Sequence, residues 1–323
     1  MMKPAHCRLF LIMLLFLCLL LPCAAEADTV SFLDVTADTS ATYVDLGDTV
    51  IGNKQWNQFY DFLSALPNLE KVDLFSTTIQ YDRIEDLHQR FPGIVFGMTM
   101  RIQDHILRTD ATAFSTLHTV KSQMHGNKYL SLVRYCTNLY ALDLGHNLLD
   151  DCSFLYDLPE LRVLIIGINN IEDITPIASL KHLEYLEIFH DKIRDISCLT
   201  GLTHLMDLNV VKNYIEDITP VMEIKSLKRL WIYWYNYRAP KDPDPAIVEQ
   251  IRQALPDCHV DASSTSTAGG WRRHPHYDVI YRVFHKGVYE PFEDSDPENL
   301  PEPWRSERLA ALESAGTPEN TGD

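Results

Sequence analysis

The chain is short of positive charge: 28 Lys and Arg stand against 45 Asp and Glu, a formal net charge of −17. Nucleic acid and anionic membrane surfaces would repel it, so neither is expected as a partner. Catalytic signatures are missing as well. There is no H-E-x-x-H, no G-x-S-x-G, no C-x-x-C and no phosphate-binding glycine loop. Neither catalytic nor metal-ligating residues are expected, nor a cofactor, and the chain does not read as an enzyme. The pair His274 and His276, with His259 near in sequence, lacks a third ligand at matching spacing and reads as a polar edge. Long apolar runs are also scarce. After the first 27 residues no segment approaches the roughly 20 apolar residues of a membrane span.

What is present begins with an export signal. Lys3 and Arg8 precede the apolar run Leu9 to Leu21, and Ala25-Glu26-Ala27 offers a small-x-small cleavage site. Cleavage after Ala27 would leave no stable membrane span and would place the product in the envelope or outside the cell. Lipidation at Cys23 and retention as an anchor are the rival outcomes. Four of the seven cysteines would remain: Cys136, Cys152, Cys198 and Cys258.

The dominant feature is a 22-residue period. Leu139, Leu161, Leu183, Leu205 and Leu227 are followed three positions later by Leu142, Leu164, Leu186, Leu208 and Leu230, and then by Leu144, Ile166, Ile188, Val210 and Ile232. A polar column comes next: Asn147, Asn169, Asp191 and Asn213. A second column, Asp151, Asp173, Asp195 and Asp217, marks another bend. The L-x-L step is a short strand with its leucines inward and its x residues on the opposite face. Asn side chains suit a tight bend because they donate to and accept from unpaired backbone groups. The same register puts Cys136 in the slot of Leu158 and Cys152 in that of Ile174, both core positions. The cysteines are therefore expected as free thiols.

The pattern over 139–235 resembles the leucine-rich repeats of the bacterial internalin type. That resemblance implies an α/β solenoid with a parallel concave β-sheet, and binding of a protein or a glycan outside the cell. The flanks read as longer strand-helix units. The expected organisation is a signal peptide (1–27), N-terminal strand-helix units (28–138), regular repeats (139–236), a C-terminal strand-helix unit and cap (237–289), and an acidic tail (290–323). From Glu290 onward there are ten acidic residues, two basic residues and five prolines. Such a tail is expected to be disordered, and its deletion to leave the thermal transition nearly unchanged.

The register also names a candidate site. Tyr185, Glu187, Phe189, Asn209, Arg229, Trp231 and Tyr233 fall on alternate positions of adjacent strands. They share the concave side and carry the aromatic and charged composition of binding hot spots. Strand alternation argues that Tyr185 and Phe189 are exposed, whereas Trp231 and Tyr233, in the last coil, face the competing expectation of burial under the cap. A recognition module using this face is the leading expectation. A structural or assembly partner in the envelope without a dedicated ligand is the second, and an enzyme with a site in the cap the third. An uncovered apolar face favours the first, a covered face the second, and a clustered His274, His276 and acidic pocket the third. The period says nothing about oligomeric state.

Overall fold

A computed structural model describes residues 28–117, 124–263 and 270–316. The expected signal peptide lies outside the described residues. An antiparallel hairpin of β1 (Thr29–Phe32) and β2 (Val35–Asp38) opens the fold. Two strand-helix units follow: β3 (Tyr43–Asp45), α1 (Trp56–Ser64), β4 (Lys71–Ile79), α2 (Tyr81–Arg90) and β5 (Val95–Ile102). With β6 (His105–Arg108), which returns antiparallel to β5, they form a four-stranded sheet in the order β3-β4-β5-β6. The helices form where the 3.6-residue spacing predicts: Phe59, Phe62 and Leu63 of α1 and Ile84 and Leu87 of α2 are buried.

The coils then stack. After β7 (Ala113–Ser115) and the short α3 (Asn127–Leu130) come β8 (Ala141–Asp143), β9 (Val163–Ile165), β10 (Tyr185–Glu187), β11 (Asp207–Asn209) and β12 (Arg229–Trp231). The helix α4 (Pro245–Ala254) leads to β13 (His259–Asp261), completing a seven-stranded parallel sheet in sequence order. Its register is the sequence period: Leu164 pairs with Leu186, and Leu186 with Leu208. The repeat leucines fill one continuous core. No coil could bury its apolar face alone, so the stack stands or falls together.

Both polar columns do what a bend requires. Asn213 is fully buried; its Nδ2 donates to the carbonyls of Ile188 (2.7 Å) and Val210 (3.1 Å), and its Oδ1 accepts from the N–H groups of Asp191 (3.2 Å) and Ile193 (3.3 Å). Asp151, Asp173, Asp195 and Asp217 each accept the N–H two residues on and open the short 3₁₀ turns of the convex side. A third column was not visible in the sequence. His146, Ile168, His190, Lys212 and Trp234, spaced by the same period, all have a left-handed backbone, with φ between 46° and 59°. For non-glycine residues that conformation costs about 1–2 kcal/mol each. The His146, Ile168 and His190 N–H groups bond the carbonyls of Gly167, Phe189 and Val211, which offsets the strain.

Among the described residues the four cysteines are free thiols: Cys136, Cys152 and Cys258 are buried and Cys198 partly so. Burial pushes the Cys152 and Cys258 thiols up to about 12 and the Cys198 thiol up to about 11, and raises Cys136 too. Only the thiolate reacts. In protein cleaved after Ala27, alkylation at pH 8 should therefore be slow in the native state and reach four groups per chain on denaturation; counting modified thiols by mass checks this.

One large expectation is overturned. The segment beyond Glu290 is not a disordered tail over its described length. α5 (Pro275–Lys286) lies across the concave sheet and ends at Gly287, which is left-handed at φ 65°. The chain then runs back over β10 and β9 to α6 (Trp304–Gly316). Tyr289, Phe292 and Leu300 are buried, and Ser295 and Asn299 with them. Net charge predicts disorder only when few apolar anchors are present. Here the anchors are spaced among the carboxylates, and the sheet supplies partners for the polar groups.

Candidate functional site

The concave face is where charge is concentrated and buried. The register gives each coil a first strand position (Val163, Tyr185, Asp207, Arg229) and a second (Ile165, Glu187, Asn209, Trp231), facing the same way. One residue before the strands stand Arg162 and Glu184, whose side chains reach the same surface. In water these would be ordinary exposed charges. Every one of them is covered.

The cover is the chain's own C-terminal segment, and its bonds are specific. Arg162 donates from Nε and Nη2 to the Asn299 carbonyl at 3.1 and 2.7 Å. Glu184 accepts from Ser295 Oγ at 2.6 Å and Asn299 Nδ2 at 2.7 Å. His276 is held between Asp207 and Asp294, the latter at 2.7 Å. Trp271 donates from its indole to Tyr185 Oη (2.7 Å) and Glu187 Oε1 (2.9 Å), while its carbonyl accepts from Arg229 Nη2 at 2.8 Å. The Arg229 guanidinium also lies 4.0 Å above the Trp271 ring.

Burial sets the electrostatics. It raises Glu187 and Glu184 above the usual carboxylate range, against the hydrogen bonds from Tyr185 and Trp271 in the one case and from Ser295 and Asn299 in the other. It pushes Asp143 up to about 7. For His276 burial alone would lower the pKa, but the Asp207 and Asp294 carboxylates outweigh it and raise it. The imidazole bridges the two carboxylates.

The structure thus brings six of the seven expected site residues together, and under cover. Tyr185, Glu187, Asn209, Arg229, Trp231 and Tyr233 are all buried, and Phe189 is half-buried. Exposure of Tyr185 was the wrong expectation: alternation puts it on the concave side, but Trp271 and Phe292 pack on that side. Trp231 and Tyr233 are covered as the competing expectation had it, with Trp271 stacked on Trp231 at 6.1 Å. Gly167 is a packing feature, because a Cβ there would lie 2.7 Å from the Phe189 ring. Sequence reasoning missed Arg162, Glu184, Asp294 and Asn299, and it read His276 as a polar edge rather than as a contact to the sheet. One signal was available: an Arg and a Glu at the same register on adjacent coils, set against apolar neighbours, ask for a buried partner. The His274, His276 and acid cluster does form, yet both His276 ring nitrogens are taken by carboxylates and the ring is buried. It has no free nitrogen to relay a proton to a substrate.

The 22-residue coil, its in-register parallel sheet and its polar ladder decide the architecture. This is a leucine-rich-repeat solenoid. The chain is similar to an internalin (inlF) from Listeria monocytogenes at 21% identity and a TM-score of 0.37, over 63% of this chain and 50% of that one. It is similar to internalin C2 of the same organism at 21% identity and a TM-score of 0.35, over 62% and 74% of the two chains. A leucine-rich-repeat protein of Leptospira interrogans gives 20% identity, a TM-score of 0.37, and 62% and 56% coverage. The chain therefore spans about half the length of the first of these. No family model matches the sequence, and no curated protein does. Among the described residues no helix is long and apolar enough to cross a membrane.

Proposed function

We propose that this leucine-rich-repeat solenoid is an extracytoplasmic recognition module without enzymatic activity, whose concave face is built to hold an irregular segment of polypeptide. One observation carries the reading. Adjacent coils grip residues 271–299 of the same chain through buried side-chain bonds to its backbone and to its side chains alike: Arg162 and Arg229 take carbonyls, while Glu184 and Asp207 take side-chain donors. Contacts of this kind are how a protein surface selects an extended segment. The segment holds the face in cis, and a partner segment of like chemistry, aromatic residues flanked by carboxylates, replaces it. Extracytoplasmic placement rests on the Leu9–Leu21 run and the site at Ala27.

Full coverage of the face favours a second reading, a structural or assembly partner with no dedicated ligand. A labelled peptide with the sequence of residues 287–301 separates the two. Asn299→Ala removes the bonds to Glu184 and His182 without touching the coils. We expect this variant to take up the peptide at least tenfold more tightly than the parent, in which the tethered segment competes at high effective concentration. Undetectable uptake by both proteins would leave the assembly reading in place. Exported material whose N-terminal sequence starts at Met1 would remove the extracytoplasmic part of the proposal.

A further inference from the structure

A cluster at the junction of the N-terminal sheet and the first coil is unexplained by the fold. β5 and β6 are joined by a tight turn at Gln103 and Asp104, with Gln103 left-handed at φ 57° and Ile102 paired with His105 across it. The turn fixes Asp104 and His105 side by side. His125 arrives from the first coil, its N–H held by Asn147 Oδ1 at 2.9 Å. One donor atom from each of the three side chains converges, all within 4.8 Å of one another. Asp104 Oδ1 lies 2.7 Å from His125 Nε2 and 3.3 Å from His105 Nε2.

Both imidazoles are buried, with their rings 5.8 Å apart at 89° to each other. His105 also packs edge-on against Phe114, ring centroids 5.7 Å apart. Its Nε2 is enclosed and makes no hydrogen bond. A buried polar atom without a partner is costly, and a natural domain keeps few of them. Two imidazole nitrogens aimed at one carboxylate oxygen, one of them unsatisfied, make a donor set lacking its acceptor.

We propose that Asp104, His105 and His125 bind a divalent transition-metal ion. Zn²⁺ takes imidazole nitrogen and carboxylate oxygen at about 2.0–2.2 Å in a tetrahedron, which sets neighbouring donors about 3.3 Å apart. Asp104 Oδ1 lies 2.7 and 3.3 Å from the two imidazole nitrogens and the three donors lie within 4.8 Å of one another, so side-chain adjustment on the order of 1 Å on the exposed Asp104 turn would bring them to that spacing. Two nitrogen donors and one oxygen exclude Ca²⁺ and Mg²⁺, which want oxygen throughout. Asp104 is exposed and gives the ion its entry path. Asp104 and His105 line a groove of about 690 Å³ that is also bordered by Phe114, Gly287 and Val288, which leaves room for a water or a further ligand. The ion would staple the four-stranded sheet to the first coil, so binding and stability are linked.

The test is a titration of the full chain, without a histidine tag, at pH 7.5. ZnCl₂ competed against a chromophoric chelator should show one saturable equivalent per chain, and the melting midpoint should rise with free Zn²⁺. Co²⁺ in its place should give visible absorption of four-coordinate intensity. Asp104→Asn and His105→Gln should each weaken binding at least tenfold, while His259→Gln, on the far edge strand, leaves it unchanged. Should His105→Gln fail to fold, Asp104→Asn, on the exposed turn, decides alone. Absence of a saturable equivalent, or binding that survives Asp104→Asn, overturns the site.

Discussion

Phe292→Ala is expected to destabilise the protein by about 3–5 kcal/mol, the cost of deleting a core aromatic. The residue lies in the acidic stretch whose composition predicts disorder. Its ring is buried, stacked on His276 at 4.3 Å and tilted against Tyr185 at 6.1 Å. Leu300, fully buried on the same segment, should cost about 2–5 kcal/mol when cut to Ala. Deletion from Glu290 should then lower the thermal midpoint by about 10 °C, where the composition alone predicts almost no change. The loss is capped by the docking free energy of the segment, because a segment that comes away locally takes its further penalties out of the global transition. Two probes separate the cases. Fluorescence of Trp271, which is retained in both variants, reports on docking, and far-ultraviolet circular dichroism on the coils. If Phe292→Ala and the deletion both melt with the parent by both probes, the segment does not pack on the sheet.

The second large effect is stabilising. Asp191 occupies a slot that Asn fills in the neighbouring coils. Asn169 Nδ2 donates to the carbonyls of Leu144 and Ile166, and Asn213 Nδ2 to those of Ile188 and Val210. At Asp191 the equivalent atom is an oxygen, Oδ2, buried without a partner. An ionised carboxylate would set that oxygen against carbonyl oxygens in a dry bend. Burial pushes the Asp191 carboxyl up to about 8, against bonds from the Ile171 and Asn169 N–H groups. Its folded pKa lies above the unfolded value near 3.8, so the folded state holds the proton more tightly. That contribution to stability is whole below about pH 4 and is lost as pH rises through about 8. Asp191→Asn replaces the orphan oxygen with a donor. We expect a gain of about 2 kcal/mol or more at pH 8, shrinking towards pH 4, since each unit of pKa displacement is worth about 1.4 kcal/mol. Urea unfolding of parent and variant at both pH values reads it. A gain equal at both would mean that Asp191 does not titrate in this window, and a loss at pH 8 would mean that its charge is needed.

Asp143, raised to about 7, and Glu184 and Glu187, also raised by burial, add to the same trend. His276 acts in the same sense, since its raised pKa gives stability present below its unfolded value and lost as pH rises through the folded one. The cover over the concave face is thus expected to be tightest in mild acid.

The sequence by itself determined the coil. A period of 22 with leucine at fixed offsets leaves one way to bury those side chains, and the strand register, the inward leucines, the Asn bends, the Asp-opened turns and the buried Cys136 and Cys152 all follow from it. These contacts lie within a coil or between neighbours, so they are written as local pattern. The period also placed Tyr185, Glu187, Asn209 and Arg229 side by side on the concave face. Only the tertiary structure decided that the face is covered. The residues that cover it are more than 80 positions away in the case of Trp271 on Tyr185, and 137 in that of Asn299 on Arg162. They have no period, and their composition alone resembles that of a solvated tail. The left-handed column from His146 to Trp234 is set by the same long-range logic, since the stacked coils supply the bonds that hold a strained residue in place. Asp104 and His105 belong to one turn of the N-terminal sheet and His125 to the first coil, and only the docking of the two brings them to one point.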